Sequence, residues 1–464
     1  MTAQRDVETN VDQHGHAVTK QQWRWSVLAG MASFLDAGSI VALGASLALW
    51  KTYLGMSTSL VGTLAALGPN AIGCAVGALI GGRLGDLLGR KLIYQYDLMV
   101  YAFGVMLIAC SVNIPMLLIG TIIVGIAVGA DVPTSLALVG EFSPARARGK
   151  LLGFSQVAWN SGPIVVLLLA LATTPFGTWG GRILFLMLFV VAVVTYLLRR
   201  GMVESARWAA AAGTMETSDA SAESEQPESA PIPRNASSVS KVGQLFRGNN
   251  LKALVWTAII YVFWNIAAGT TGIFTPYIIT TLHAGSQAAS VALSCAGFVI
   301  GVLATIFIFM PLNDRTHGTR KRLWGIGAIM QVAAWGAYLV LPFSIPVIVA
   351  NIFLFGVGGA LAGEAFYKVV SQELFPTMLR GTAQGVTFGT ARLCLGIWSF
   401  FVPALASVGI RPVAAILAAF LAISGVAGYF WMPDTCGKSL EDIEREREIG
   451  EHSSQPSSSA VRAA

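Results

Sequence analysis

Apolar residues fill long, nearly unbroken stretches of this chain, and polar residues gather in short breaks between them. Twelve such stretches run near 25–50, 58–82, 92–112, 114–140, 149–172 and 180–200, then 252–281, 286–312, 322–343, 345–370, 381–407 and 411–432. Each has about the 20 residues that a helix needs to cross a bilayer. A helix also pairs its backbone groups internally, as lipid requires. The pattern predicts an all-α polytopic membrane protein: twelve transmembrane helices in two pseudo-symmetric six-helix bundles. The layout is a polar tail over 1–24, a first bundle over 25–200, a largely disordered linker over 201–251, a second bundle over 252–432 and a tail over 433–464. Within the linker, 209–240 is rich in Ser, Ala, Glu and Pro and lacks apolar periodicity, a composition that does not fold alone.

The breaks repeat. Residues 81–91 read GGRLGDLLGRK and have a weaker copy in 311–322, PLNDRTHGTRKR, with Asp86 and Asp314 228 positions apart. Glu141-Phe-Ser-Pro144 with Arg148-Gly149 returns as Glu373-Leu-Phe-Pro376 with Arg380-Gly381, offset by 232. Val203-Glu204-Ser205 returns loosely as Pro433-Asp434-Thr435, offset by 230. Three marks in one order at nearly one spacing imply a duplicated unit.

Composition agrees with a bilayer protein. The chain is 55% hydrophobic and 12% charged, against about 25% charged in a soluble domain. A net charge of +6 does not point to nucleic acid, because the positive charges sit in the loops. One set of loops holds Arg83, Arg90, Lys91, Arg146, Arg148, Lys150, Arg315, Arg320, Lys321, Arg322 and Arg380; the opposite set offers Lys51, Arg182 and Arg411. The rich side is expected in the cytoplasm, with both termini, and the N-terminus lacks a cleavable signal pattern. The five cysteines have neither disulfide nor metal spacing and read as small packing residues. No cofactor or metal is expected, and nothing resembles a nucleotide loop or nucleophile constellation, which excludes an enzyme.

Charged residues inside the apolar stretches are costly and mark function by default. Asp36 lies 12 residues past Arg24, about 18 Å of helical rise. By the same measure Asp131 lies about 15 Å in, Glu364 about 13 Å, Arg392 about 18 Å and Lys368 roughly 8 Å. The first four therefore fall near one depth, on the first, fourth, tenth and eleventh stretches. Gln156, Asn160 and Asn265 add neutral polar groups, as a central cavity between two halves requires. Glu364 and Lys368 stand at i, i+4, the favourable order for an ion pair. They either neutralise each other, or Lys368 or Arg392 meets an acidic substrate group. Trp264 and Tyr367 are the aromatic candidates for stacking on a substrate.

These loops resemble those of the major facilitator superfamily, and within it the sugar porter family. Gly82-Arg83-Leu84-Gly85-Asp86-Leu87-Leu88-Gly89-Arg90-Lys91 is similar to the superfamily's signature between helices 2 and 3. Glu204-Ser205-Ala206-Arg207-Trp208 resembles the sugar porter PESPRW box, and Pro433-Asp434-Thr435-Cys436-Gly437-Lys438 the PETKG box. The resemblance implies alternating access, with a cytoplasmic gate of ion pairs formed by Arg83, Asp86, Arg90, Glu141, Arg148, Glu204, Arg207, Asp314, Arg320, Glu373, Arg380 and Asp434. It implies that Asp36 is a proton carrier and that Gln156 contacts sugar. The chain departs from the family where the helix 4 arginine that partners such an aspartate falls at Thr121. The helix 7 glutamines are replaced by Phe263-Trp264-Asn265, and the helix 10 tryptophan by Lys368. Gly129-Ala130-Asp131-Val132-Pro133 resembles helix 4 of phosphate and metabolite proton symporters, which makes Asp131 a second proton candidate.

The expected function is secondary active transport, as proton-coupled uptake of a sugar, polyol or similar small hydrophilic metabolite by a monomer in the cell membrane. The alternatives are an organic-acid or sugar-acid anion/proton symporter and a non-transporting nutrient sensor on the same fold.

Overall fold

The computed structural model describes residues 18–454 apart from 70, 201–204, 206, 211–241 and 282–286. Glu204 and most of the expected linker lie outside the described residues. The helices are α1 (Lys20–Leu54), α2a (Thr58–Leu67), α2b (Ile72–Leu88), α3 (Arg90–Ala109), α4 (Ile114–Phe142), α5 (Arg148–Thr173) and α6 (Thr178–Arg199). The second set is α7 (Gly248–Thr281), α8 (Gln287–Ala304), α9 (His317–Val340), α10a (Ile345–Leu361), α10b (Glu364–Glu373), α11 (Arg380–Val408), α12 (Ile410–Phe430) and a tail helix, α13 (Leu440–Ser454). Among the described residues eleven helices are long and apolar enough to cross a membrane. The second predicted span is divided between α2a and α2b and completes the twelve.

Two predicted features change. Residues 81–88 are not loop but the last turns of α2b; the chain reverses at Gly89, whose φ of 98° suits glycine, and Arg90 opens α3. The tenth span is not continuous. It breaks at Ala362 and Gly363, where a Cβ on Gly363 would strike the Trp264 ring. A break inside a membrane must have its freed carbonyls satisfied. Gln331 of α9 does this for Ala362, its Nε2 donating to that carbonyl at 3.0 Å, and it adds a 3.2 Å bond to the Gly358 carbonyl, which also accepts the Ala362 N–H at 2.8 Å. Its Oε1 in turn accepts from Trp264 Nε1 at 2.8 Å.

Within the first half α1 packs on α5 and α6, and α3 on α4 and α6; within the second, α7 packs on α11 and α12, and α9 on α10a and α12. The halves meet where α2b lies on α11 and where α5 lies on α8 and α10b. The α2b–α11 crossing is backbone-close. A Cβ on Gly82 would collide with the Gly381 carbonyl, and one on Gly385 with that of Ala78. Small residues here let the two halves touch without intervening side chains.

Candidate functional site

The arginine-rich end of the bundle carries one arrangement of ion pairs built twice. Glu141, at the end of α4, accepts on one oxygen from Arg90 of its own half at 3.0 Å and from Arg380 of the other half at 3.1 Å. Glu373, at the end of α10b, accepts from Arg320 of its own half at 2.8 Å and from Arg148 of the other half at 3.2 Å. All six side chains are buried. The aspartates of the repeat add a second pair of cross-links. Asp86 bonds Arg90 at 3.0 Å and accepts the backbone N–H groups of Gly381 and Thr382 at 3.1 and 2.6 Å. Asp314 bonds Arg320 at 3.4 Å and accepts the Lys150 N–H at 3.1 Å. Each aspartate thus caps the first turn of α11 or α5 in the opposite half, where free N–H groups and the helix dipole favour an anion. Burial pushes the Asp314 carboxyl up to about 6 against the pull of Arg320.

One gate expectation needs correction. Asp434 does not join the cross-links; it meets His317 at 3.5 Å on the exposed rim of its own half. Its neighbour Thr435 takes the inner place, its Oγ1 donating to Glu373 at 2.6 Å. Arg207 joins this end by tying the chain after α6 to the tail of the second half, with Nη1 on the Glu141 carbonyl at 2.7 Å and Nε on Glu441 at 2.9 Å. Trp208 beside it donates to the Asp86 carbonyl at 2.9 Å. Arg83 is half-buried one turn before Asp86 on α2b.

Midway through the bundle, Asp36 of α1 pairs with Arg392 of α11 at 3.1 Å, so this ion pair too crosses from half to half. The same Asp36 oxygen accepts from Trp159 Nε1 at 3.0 Å, while Oδ1 is buried without a hydrogen-bond partner. Arg392 lies over the Phe388 ring at 4.8 Å. Lys368 pairs with Glu364 at 3.5 Å and donates to Gln156 of the first half at 3.0 Å. Both Glu364 and Lys368 lie close enough to act on the charge of Asp36. The cluster holds two carboxylates and two cations, so its formal charge is zero. The break in α10 sets Glu364 in the first turn of α10b.

Other predicted residues have structural partners. Asn160 is buried and faces α8 at Gly301. Asn265 is buried with its Oδ1 unpartnered, its Nδ2 donating to Tyr261 at 3.4 Å. Tyr367 stacks on Tyr261 with ring centroids 3.7 Å apart and shares a hydrogen bond with Thr387 at 2.8 Å. Trp264 is committed to Gln331. These two aromatics hold α10b in place, and neither offers a free face of the kind expected for stacking on a substrate.

Asp131 does not belong to the central cluster, contrary to the depth estimate. It faces the interior of the first half and pairs with Arg199 of α6 at 3.1 Å. Asp97 of α3 is 3.8 Å from the same guanidinium nitrogen. Asp97 and Arg199 escaped the sequence reading. The available signal was an acid inside the third apolar stretch, which lipid obliges to find a partner.

A family model described as "Sugar (and other) transporter" matches residues 16–446. The chain is 38% identical to the minor myo-inositol transporter IolF of Bacillus subtilis, over 91% of this chain and 93% of that one. It is 26% identical to the arabinose-proton symporter of the same organism, over 90% and 94%. Among solved structures it shares the fold of the proton:xylose symporter XylE bound to 6-bromo-6-deoxy-D-glucose, with a TM-score of 0.76, 19% identity and coverage of 92% and 98%. With doubled ion pairs between the halves at one end and a further one at mid-depth, this membrane protein is a secondary transporter rather than an enzyme, and it belongs to the sugar (and other) transporter family of the major facilitator superfamily.

Proposed function

We propose that the protein carries a neutral polyol or sugar, myo-inositol being the first candidate, into the cell together with a proton. The observation that carries this reading is the charge-balanced cluster around the Asp36–Arg392 pair. Both cations already have anionic partners, so a carboxylate substrate would enter a site with no surplus positive charge. A polyol instead needs hydrogen-bonding groups, which Gln156, Asn160 and the cluster supply. The names of the relatives support the substrate class, and two of them support proton coupling.

In this mechanism Asp36 is the proton carrier. Ionised, it holds Arg392 and with it the opposite half. A proton on its unpartnered Oδ1 cancels the attraction, so loading a proton and loosening the halves are one event. The loosened state rocks about the bound substrate, and loss of the proton to the other side restores the pair. The doubled ion pairs are the latch that closes the arginine-rich side, which the positive-inside rule assigns to the cytoplasm; both termini and the linker then lie inside and the protein sits in the plasma membrane as a monomer.

The test is uptake of labelled myo-inositol, xylose and a sugar acid into proteoliposomes, with and without an inward proton gradient. Gradient-driven accumulation of a polyol or sugar is expected. Accumulation of the sugar acid in preference would establish the anion symporter, and saturable binding without transport of any of them would establish a sensor.

A further inference from the structure

We infer that Asp97 and Asp131 together form a second proton-binding site inside the first half, holding one proton between them at neutral pH. Two buried carboxylates, one from α3 and one from α4, approach a single buried guanidinium. Arg199 Nη1 lies 3.1 Å from Asp131 Oδ2 and 3.8 Å from Asp97 Oδ1. Both acids thus converge on the same guanidinium nitrogen. One oxygen of each, Asp97 Oδ2 and Asp131 Oδ1, is buried with no donor. A proton placed between the two carboxylates supplies the missing donor.

The charge balance demands the same proton. The groups facing the site are Tyr94 and Asp97 of α3, Asp131 of α4 and Arg199 of α6, with backbone carbonyls of Leu28 and Tyr94 accepting the other guanidinium hydrogens. The Tyr94 ring lies under the Arg199 guanidinium at 3.6 Å. With both acids ionised the group carries a net negative charge, buried in a membrane with no counter-ion. One bound proton makes it neutral, as low dielectric requires of carboxylates sharing a site. The closer contact to Arg199 makes Asp131 the ionised member and Asp97 the acid. The site shares no side chain with the Asp36 cluster, so it stands apart from the proton proposed for coupling.

Infrared spectroscopy of the purified full-length protein tests it. A protonated carboxyl band at neutral pH is expected in the D36N variant, where Asp36 cannot contribute, and it is expected to vanish in D36N/D97N and in D36N/D131N. Either double variant retains one carboxylate for Arg199. Removing both acids, D97N/D131N, leaves the guanidinium unpaired and is expected to lower the melting temperature by more than the two single losses added. Absence of the band in D36N, or its survival without Asp97 and without Asp131, would overturn the inference, as would additive losses in melting temperature. The D36N measurement alone decides if a dyad variant fails to fold. Because every infrared sample lacks Asp36, the result does not depend on the coupling role assigned to that residue.

Discussion

Glu141 and Glu373 stand 232 positions apart in the sequence and make the same contact twice: each carboxylate grips one arginine of its own half and one of the other. The duplicated unit therefore reproduces an interaction between its two copies. Buried charge pairs gain little over apolar packing while intact, but breaking one strands its partners. That asymmetry suits a latch that must close fully and open completely.

E373Q is expected to favour the state open at the latch end, because Arg148 loses its carboxylate and Arg320 keeps only Asp314. Loss of one partner from a buried charge network costs about 3–5 kcal/mol. Labelling of a single cysteine introduced on α5 near Arg148 should rise at least tenfold. E141Q, its counterpart, should act in the same direction, and unchanged labelling in both would show that the arginines do not hold this end shut.

Replacing Asp36 by Asn is expected to abolish proton-driven accumulation, by tenfold or more, while leaving substrate exchange across the membrane measurable. Asn keeps the size of the side chain and an acceptor for Trp159, but it neither titrates nor pairs ionically with Arg392. Undiminished accumulation against a gradient would remove Asp36 from the coupling step.

The Asp314 carboxyl, pushed up to about 6 by burial, gives the closed latch a pH dependence. When the latch opens, this group returns to water and to the ordinary carboxylate value near 3.8. The closed state therefore holds the proton more tightly. Its extra stability is complete below the solvated value and is lost as pH rises through about 6. Lowering the pH from 7 to 5 should reduce cysteine labelling at the latch end, and D314N should flatten that response.

Q331L is expected to destabilise the protein by roughly 2–6 kcal/mol, because the buried Ala362 carbonyl loses its donor and the buried Trp264 N–H its acceptor, at about 1–3 kcal/mol each. W264F, which removes one hydrogen bond to Gln331, should cost about 1 kcal/mol. Melting curves measure both. Substrate preference should be unchanged in W264F; a selective loss for one sugar would return Trp264 to the binding site.

The helices, their pairing into halves and most of the latch were legible because charge is scarce in this chain. Arg148, Glu373 and their counterparts stand out against apolar flanks, and their repeated spacing announces a symmetric arrangement. Depth was legible too, since helical rise converts position into distance. Facing was not. Helical rise put Asp131 within about 3 Å of the depth of Asp36, yet α4 turns it toward Asp97 of α3 and Arg199 of α6, and no count along one helix reveals that rotation. Arg199 resembled an ordinary helix-end cation until Asp97 and Asp131 were seen beside it. The division of α10 was hidden as well, since Gly363 does not announce that Gln331, 32 positions earlier, will satisfy the freed Ala362 carbonyl.

That division has a mechanical result. Ten residues, Glu364–Glu373, form a stiff rod about 15 Å long, detached from the helix above it by two residues of non-helical backbone. Its upper end carries the Glu364–Lys368 pair and its lower end carries Glu373 between Arg148 and Arg320. Because the segment is rigid, any displacement of the Glu364–Lys368 pair is carried whole to Glu373, and the central charges and those at the arginine-rich end move as one body.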